Sequence, residues 1–138
     1  MPYPEMMVAP MREDLVRIGF QELRTSEDVT QAMDAMDGTI LMAVNSVCGC
    51  AAGAMRPGVM MAMENETLPE HRLTVFAGQD LDATAEARKY LVGYPPSSPS
   101  IALFKDGDLV YMMERFQIEG RSAPEIAQDL KSAFNEHC

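Results

Sequence analysis

The stretch that decides the fold is TILMAVNSVCGC, which runs from Thr39 to Cys50. Its first six residues form a nearly continuous apolar run, without the alternation typical of a strand that has one exposed face. Because a strand covered on both faces needs no alternation, residues 39–44 predict a strand at the centre of a sheet. The chain passes from this strand directly into two cysteines separated by one glycine.

Cys48 and Cys50 are the expected reactive groups. A cysteine between a strand and a helix lies beside unpaired N–H groups and the positive end of the helix dipole, which lower its pKa from about 8.5 toward neutrality. We therefore expect Cys48 to attack disulfides as a thiolate and Cys50 to resolve the mixed disulfide. Gly49 gives the backbone the freedom that so small a disulfide ring needs. The ring should still be strained, and its disulfide easier to reduce than that of a C-x-x-C pair.

Other uses of the two thiols have less support. A structural zinc site needs four ligands, and Cys138, His71 and His137 do not supply a second closely spaced pair. We therefore expect no metal site within one chain; a cluster shared across a dimer and inert burial of both thiols are the alternatives. Cys138 is either a free terminal thiol or a source of intermolecular disulfides.

Two charged residues near the pair are expected to have ordinary structural roles. Asp80 is expected to cap a helix rather than to relay protons. Arg56 lies six residues beyond Cys50. We expect it to be a solvated surface charge, with the steering of anionic thiols as the alternative.

The composition limits the class of protein. Eleven basic and 21 acidic residues among 138 give a formal net charge of −10, which repels phosphate backbones and anionic lipid, so we expect neither nucleic-acid nor membrane binding. The size and the 47% hydrophobic content predict a single domain over residues 1–138.

No leader-like start, membrane-length run or disulfide framework is present, so we expect a cytoplasmic location. The 13 methionines are expected mainly to fill the core, with a client-binding surface as the alternative.

Helix and strand patterns surround the central strand in a regular order. Before it, the sequence predicts a helix from near Pro10 to Gly19, a connector or edge strand over 20–23, and a helix from Thr25 or Ser26 to Gly38 that buries Val29, Ala32, Met33 and Met36. After the cysteines, it predicts a helix over 51–64 interrupted by Pro57, a strand over 73–77, a helix from Asp80 to about Val92, a proline-rich loop over 94–100, strands over 100–104 and 109–113 joined at Asp106-Gly107, and a final helix capped by Ser122 and Glu125.

This α/β order resembles that of the thioredoxin fold, a central mixed β-sheet flanked by helices on both faces, here with an additional N-terminal helix. The resemblance in fold implies that Ser98-Pro99 lies beside the dithiol with a cis peptide bond and presents its backbone to an incoming substrate chain. Ser98, Pro99 and Gly49 are therefore the expected substrate-binding residues.

Several stretches carry a more specific resemblance. They are VNSVCGCAAG at 44–53, RP at 56–57, VFAGQD at 75–80, PSSPS at 96–100, IEG at 118–120 and the final His137-Cys138. Over nearly its full length the chain resembles the bacilliredoxin family of thioredoxin-like proteins, with no departure at the C-G-C centre.

The resemblance implies a thiol–disulfide oxidoreductase that removes bacillithiol from S-bacillithiolated proteins. Cys48 would attack the mixed disulfide and carry the small thiol away, and another bacillithiol or Cys50 would release it. No cofactor is implied beyond bacillithiol itself, as substrate or reductant. The implied partners are S-bacillithiolated client proteins, the low-molecular-weight thiol and a flavin-type disulfide reductase for recycling, and we expect a monomer or weak homodimer. The alternatives are a protein disulfide isomerase or general disulfide reductase, and a non-enzymatic redox-sensing or metal-holding interaction protein.

Overall fold

The computed structural model describes residues 2–35 and 37–138. The elements within these residues are α1 (Glu5–Val16), β1 (Gln21–Glu22), α2 (Ser26–Ala35), β2 (Thr39–Asn45), a π-helical turn (Ala51–Met55), α3 (Arg56–Ala62), β3 (His71–Phe76), α4 (Leu81–Arg88), β4 (Ser100–Lys105), β5 (Asp108–Met113), α5 (Arg115–Ile118) and α6 (Ala123–His137). This is the predicted order with one addition, the short helix α5. Of the two alternatives for residues 20–23, a connector or an edge strand, the edge strand is confirmed as β1. The expected burial of Met36 lies outside the described residues.

The strands form one mixed sheet in the order β1-β3-β2-β4-β5. β2 pairs in parallel with β3 and antiparallel with β4, and every residue of β2 is buried. The prediction of a central strand is therefore confirmed. β4 and β5 form the predicted antiparallel hairpin, whose turn has positive φ angles at Asp106 and Gly107. This is the conformation that Asp-Gly pairs favour in two-residue hairpin turns.

Helices cover both faces of the sheet. On one face, Leu41 and Ala43 of β2 belong to a core that includes residues of α1, the π-helical turn, α3 and α6. On the other face, Ile40, Met42 and Val44 belong to a core shared with α2 and α4. Successive side chains of a strand point to opposite faces, so a strand between two cores must be apolar throughout.

The first helix begins earlier than predicted. α1 starts at Glu5 and contains Pro10, although proline removes a backbone donor from a helix interior. Two contacts offset this cost: Val8 is fully buried, and the Glu5 carboxylate accepts a hydrogen bond of 2.7 Å from Arg12 Nε, two turns away. The prediction of a start near Pro10 is therefore wrong, because tertiary contacts override the local signal.

The helices around the reactive pair differ from regular α-helices in length or winding. Pro57 has no N–H to donate to residue 53, and the predicted interruption takes the form of a π-helical turn followed by α3. α4 ends at Arg88 instead of near Val92, and the chain continues through turns to Tyr94.

Among the described residues, no helix is long and apolar enough to cross a membrane.

The methionines occupy both the interior and the surface. Met42, Met55 and Met113 are completely buried, whereas Met6 is 88% exposed and Met61 is also exposed. Core filling accounts for part of the methionine content, and client binding by the exposed side chains stays a prediction.

Candidate active site

The dithiol lies where β2 ends and the following helical segment begins. The carbonyl oxygen of Cys48 accepts hydrogen bonds from the backbone N–H groups of Ala51 at 3.0 Å and Ala52 at 3.1 Å, so Cys48 stands at the N-terminal end of that segment. Its own N–H donates to the hydroxyl of Ser46 at 3.2 Å. The predicted placement of the leading cysteine between strand and helix is confirmed.

The two sulfur atoms are in contact and belong to free thiols. Cys48 Sγ and Cys50 Sγ lie 2.6 Å apart, and the backbone N–H of Cys50 donates to Cys48 Sγ at 3.4 Å. Both side chains are half-buried, so neither sulfur is enclosed by hydrocarbon. A second thiol at this position can stabilise a thiolate and can later attack a disulfide formed by it.

The surroundings shift the pKa values of the two thiols in opposite directions. The pKa of Cys48 is lowered below that of an ordinary cysteine, first by the hydrogen bond from the Cys50 side chain and then, against the effect of burial, by adjacent backbone N–H groups and the charge of Arg115. The pKa of Cys50 is raised, first by burial and then by its neighbour Cys48. Cys48 is thus the sulfur that ionises first, with Cys50 as a protonated donor beside it.

A cleft of about 360 Å³ opens beside Cys48. Five separate segments of the chain supply its lining: Tyr3, Ser46, Val47, Cys48, Ala77, Gly78, Ser98 and Arg115. Ser98 is therefore brought to the dithiol as expected, and the Ser98-Pro99 peptide bond is cis. Pro99 is buried and Gly49 is exposed, and neither is part of the cleft lining.

Gly49 is unconstrained while the thiols are free. Its φ angle is outside the left-handed region, and a Cβ atom at this position would meet nothing within 4 Å. The dithiol form therefore does not itself require glycine, and the role of Gly49 in closing the disulfide ring stays a prediction.

The expectation that Arg56 is a solvated surface charge is wrong. The residue is 3% exposed, and its Nη1 donates to Asn45 Oδ1 and to the Ser46 carbonyl oxygen, both at 2.8 Å. Its Nε lies 3.4 Å from Asp14 Oδ2. Burial lowers the pKa of this guanidinium, and Asp14 opposes that shift. Arg56 therefore holds the loop that leads from β2 to Cys48 and does not line the cleft.

Asp80 precedes α4 as predicted, but its side chain does not cap the helix. Its carboxylate oxygens instead accept hydrogen bonds of 2.6 and 3.0 Å from the buried guanidinium of Arg12. Arg12 also pairs with Glu5 of its own helix. The predicted side-chain cap is therefore wrong, because Asp80 is the counterion that fastens α1 to the start of α4.

Arg115 is a cleft residue that the sequence patterns did not predict. It is the first residue of α5, and its Nη1 donates to the Ser98 carbonyl oxygen at 3.0 Å. The capping box formed by Glu114 and Gln117 is a local signal for the start of this short helix. It does not indicate that Arg115 lies in the cleft.

Tyr3 is the second unpredicted residue of the cleft. Its N–H donates to Gln79 Oε1 at 2.7 Å, and Gln79 Nε2 donates back to the Tyr3 carbonyl oxygen at 2.9 Å. These two bonds hold the N-terminal segment against the turn after β3. No local pattern indicates this contact, since 76 residues separate the partners.

Cys138 lies far from the dithiol. The residue is exposed, and its sulfur is within hydrogen-bonding reach of the Thr39 side chain at the start of β2, whereas Cys48 follows the end of that strand. Partial burial of the sulfur raises its pKa. A seven-residue strand spans about 20 Å, so Cys138 cannot bond to Cys48 of the same molecule. Within the described parts of the chain, no group of three or more His, Cys, Asp or Glu side chains could hold a metal ion.

Known proteins resemble this chain over nearly its full length. Residues 3–138 match the protein family described as Disulphide isomerase. A bacilliredoxin of Koribacter versatilis is 52% identical, over 99% of this chain and 94% of its own length. A second bacilliredoxin, from Salinibacter ruber, is 55% identical, over 100% of this chain and 82% of its own length. The chain belongs to the bacilliredoxin family.

The bacilliredoxin fold and activity follow from the same comparisons. Fasciola hepatica thioredoxin has a TM-score of 0.57 at 18% identity, over 86% of this chain and 100% of its own. Mitochondrial thioredoxin 3 of Saccharomyces cerevisiae has a TM-score of 0.55 at 14% identity, over 85% of this chain and 94% of its own. These likenesses confirm the predicted thioredoxin-like fold and show the fold alone. As a bacilliredoxin, the protein is a thiol–disulfide oxidoreductase, and its partners are redox-active proteins.

Proposed function

We propose that this bacilliredoxin removes bacillithiol from S-bacillithiolated proteins, with Cys48 as the nucleophile and Cys50 as the resolving thiol. The observation that carries the proposal is the contact between two free thiols, 2.6 Å apart, whose pKa values are shifted in opposite directions beside an open cleft. Such a pair supplies one sulfur that ionises more readily than that of a free cysteine and a second sulfur that can resolve the mixed disulfide.

The first step is a disulfide exchange that needs no external oxidant or reductant. The Cys48 thiolate attacks the bacillithiol sulfur of the mixed disulfide, and a Cys48–bacillithiol disulfide forms as the bond to the client breaks. The electron pair of the broken bond leaves on the client sulfur, which then takes a proton from water. The client thiol is restored, and the protein carries the bacillithiol.

Two routes release bacillithiol from Cys48. In one, a second bacillithiol thiolate attacks the bound one, which gives bacillithiol disulfide and restores the Cys48 thiolate. In the other, Cys50 loses its proton and attacks Cys48 Sγ, which expels bacillithiol as a thiolate and leaves a Cys48–Cys50 disulfide. Two electrons from a flavin-type disulfide reductase then regenerate the dithiol. The contact between the sulfurs supports the second route, because the resolving atom is already beside its target.

The residues around the dithiol, the electron supply and the cellular location complete the proposal. Ser98, Pro99 and Gly49 are proposed to contact the client, and the place of Ser98 in the cleft with Cys48 supports this role. No resident cofactor takes part, because bacillithiol and the recycling reductase supply the electrons. We place the activity in the cytoplasm, which the odd number of cysteines supports.

The rate of release from a client with one bacillithiolated cysteine tests the proposal. We expect the reduced wild-type protein to free the client thiol rapidly and Cys48→Ser to do so no faster than buffer alone. Cys50→Ser should complete one turnover and then depend on added bacillithiol. Cys138→Ser is the matched control and should behave as wild type. Equal rates for wild type and Cys48→Ser would reject the proposal.

Disulfide isomerisation is a second candidate, favoured by the description of the family that residues 3–138 match. It uses the same attack by Cys48, directed at a protein disulfide. Refolding of a scrambled disulfide protein separates the two activities. A higher kcat/KM on the scrambled protein than on the bacillithiolated client would make isomerisation the main activity.

A further inference from the structure

Arg115 is the one cationic side chain among the described residues that line the cleft beside Cys48. The protein as a whole has a formal net charge of −10. Its long-range field therefore repels anions, and any attraction for them must be local. Arg115 sets the charge that a small molecule meets next to the reactive sulfur.

The Arg115 side chain is anchored at the cis-proline loop and remains partly open. Its Nη1 donates to the Ser98 carbonyl oxygen at 3.0 Å, and its Nε donates to Glu119 Oε1 at 3.1 Å. The side chain is 42% exposed. No acceptor for Nη2 lies among the residues that the structure describes. The Nη2 group is thus available to a ligand while Nε and Nη1 are held by the protein.

The guanidinium is within electrostatic reach of both sulfurs. Its charge lowers the pKa of each thiol, and the thiols in turn raise the pKa of Arg115. Because Arg115 and Cys48 also line the same cleft, a small molecule that binds Arg115 through an anionic group can place a sulfur a few bonds away beside Cys48.

We propose that Arg115 determines the specificity of the cleft by binding a carboxylate of a low-molecular-weight thiol while the sulfur of that thiol is exchanged at Cys48. This inference rests on the proposed function and adds the residue that recognises the small thiol. A guanidinium suits this role because its planar N–H groups match the oxygens of a carboxylate. A volume of about 360 Å³ fits a small molecule.

Glu119 competes with the ligand for Arg115. Its carboxylate is 53% exposed and already accepts the Nε hydrogen bond, so it offsets part of the positive charge. Glu119→Gln should strengthen the attraction for a carboxylate, because Ser98 still anchors the guanidinium. A variant that gains preference cannot be explained by structural damage.

Mixed disulfides of one short neutral peptide test the inference. They are formed with bacillithiol and glutathione, which carry carboxylates, and with β-mercaptoethanol, which carries none. The readout is kcat/KM for release of the peptide, divided by the value for the β-mercaptoethanol adduct, so that general effects on Cys48 or on folding cancel. We expect Arg115→Gln to lower this ratio about tenfold through a higher KM. Glu119→Gln should raise it, and added salt should weaken both effects.

The possible failures are distinguishable. A wild-type ratio near one, or an unchanged ratio in Arg115→Gln, would overturn the role of Arg115. Wild-type activity on the glutathione adduct and none on the bacillithiol adduct would reject the proposed function; if Arg115→Gln then loses the preference for glutathione, carboxylate recognition stands. Inactivity on every adduct would reject both.

Discussion

At the scale of single residues, Cys48 ionises more readily than free cysteine because the Cys50 thiol donates to it and its other neighbours favour the anion. A lowered pKa means that the thiolate forms as the pH rises through a value below that of free cysteine, about 8.5. We predict that alkylation by iodoacetamide accelerates with pH to a plateau, with a midpoint below that of N-acetylcysteine. Cys48→Ser should lack this phase, and a midpoint at or above that of the free thiol would contradict the assignment.

The Cys50 side chain is the largest cause of the lowered Cys48 pKa. Cys50→Ala removes the donor, so we predict that the pKa of Cys48 rises toward that of free cysteine. Cys50→Ser keeps a hydroxyl donor and should shift it less. The ultraviolet absorbance of the thiolate, followed with pH, measures both. An unchanged or lower Cys48 pKa in Cys50→Ala would show that the contact does not stabilise the thiolate.

Arg56 supports the loop before Cys48 with a buried charge. Arg56→Met leaves the Ser46 carbonyl oxygen without its side-chain donor and removes one of the two donors to Asn45 Oδ1. It also leaves Asp14 with Arg17 alone as its cation. We predict a loss of about 3 kcal/mol in the free energy of unfolding. Arg56→Lys keeps the charge without the forked donor and should lose less. Urea unfolding of the reduced proteins checks this, and a loss under about 0.5 kcal/mol for Arg56→Met would contradict it.

At the scale of elements, α3 and α6 pack so closely that only glycine fits between them at one position. A Cβ atom at Gly58 would lie 2.8 Å from Ile126 Cγ2 and 3.2 Å from the Ala123 carbonyl oxygen. We predict that Gly58→Ala costs about 1–3 kcal/mol, although alanine favours a helix by about 1 kcal/mol. Gly53→Ala is the matched control, because nothing lies within 4 Å there, and it should be neutral or stabilising. Equal unfolding midpoints in urea would disprove the close packing.

Elements that one local interaction fixes could be predicted from the sequence. The apolar run over residues 39–44 became β2, because a strand between two cores must be apolar. Asp106-Gly107 gave the hairpin turn, and the reciprocal bonds of Ser122 and Glu125 begin α6. The place of the dithiol followed from the same strand.

Features that depend on distant contacts could not be predicted in this way. The start of α1 is stabilised by Arg12, whose counterion Asp80 lies 68 residues away. Arginine is rarely buried, and the burial of Arg56 is tolerable only because the fold brings partners from β2 and α1 to it. Arg115 lies in the cleft because β5 and α5 carry it to Ser98, a pairing with no local pattern.

At the scale of the whole molecule, β2 contributes side chains to the cores on both faces of the sheet. Neither core can be lost without exposing the strand that the other needs, so we predict that residues 1–138 unfold as a single cooperative domain. Tyrosine fluorescence and far-ultraviolet circular dichroism should give coincident transitions in urea. Separate transitions would contradict a single domain.

The same molecule is expected to be a monomer or weak homodimer, and sedimentation analysis of the reduced protein over a range of concentrations checks this. If the oxidised protein associates and a reductant reverses the association, intermolecular disulfides of Cys138 are the explanation, because this thiol is exposed and cannot reach Cys48 in its own chain.

In the proposed reaction, bacillithiol moves from the client to Cys48. Mass spectrometry of Cys50→Ser after incubation with a bacillithiolated client tests it most directly, since the resolving thiol is absent and the adduct accumulates. We expect a single bacillithiol on Cys48 and an equal amount of freed client thiol. A reduced client with no adduct on Cys48, or with the adduct on Cys138, would contradict it.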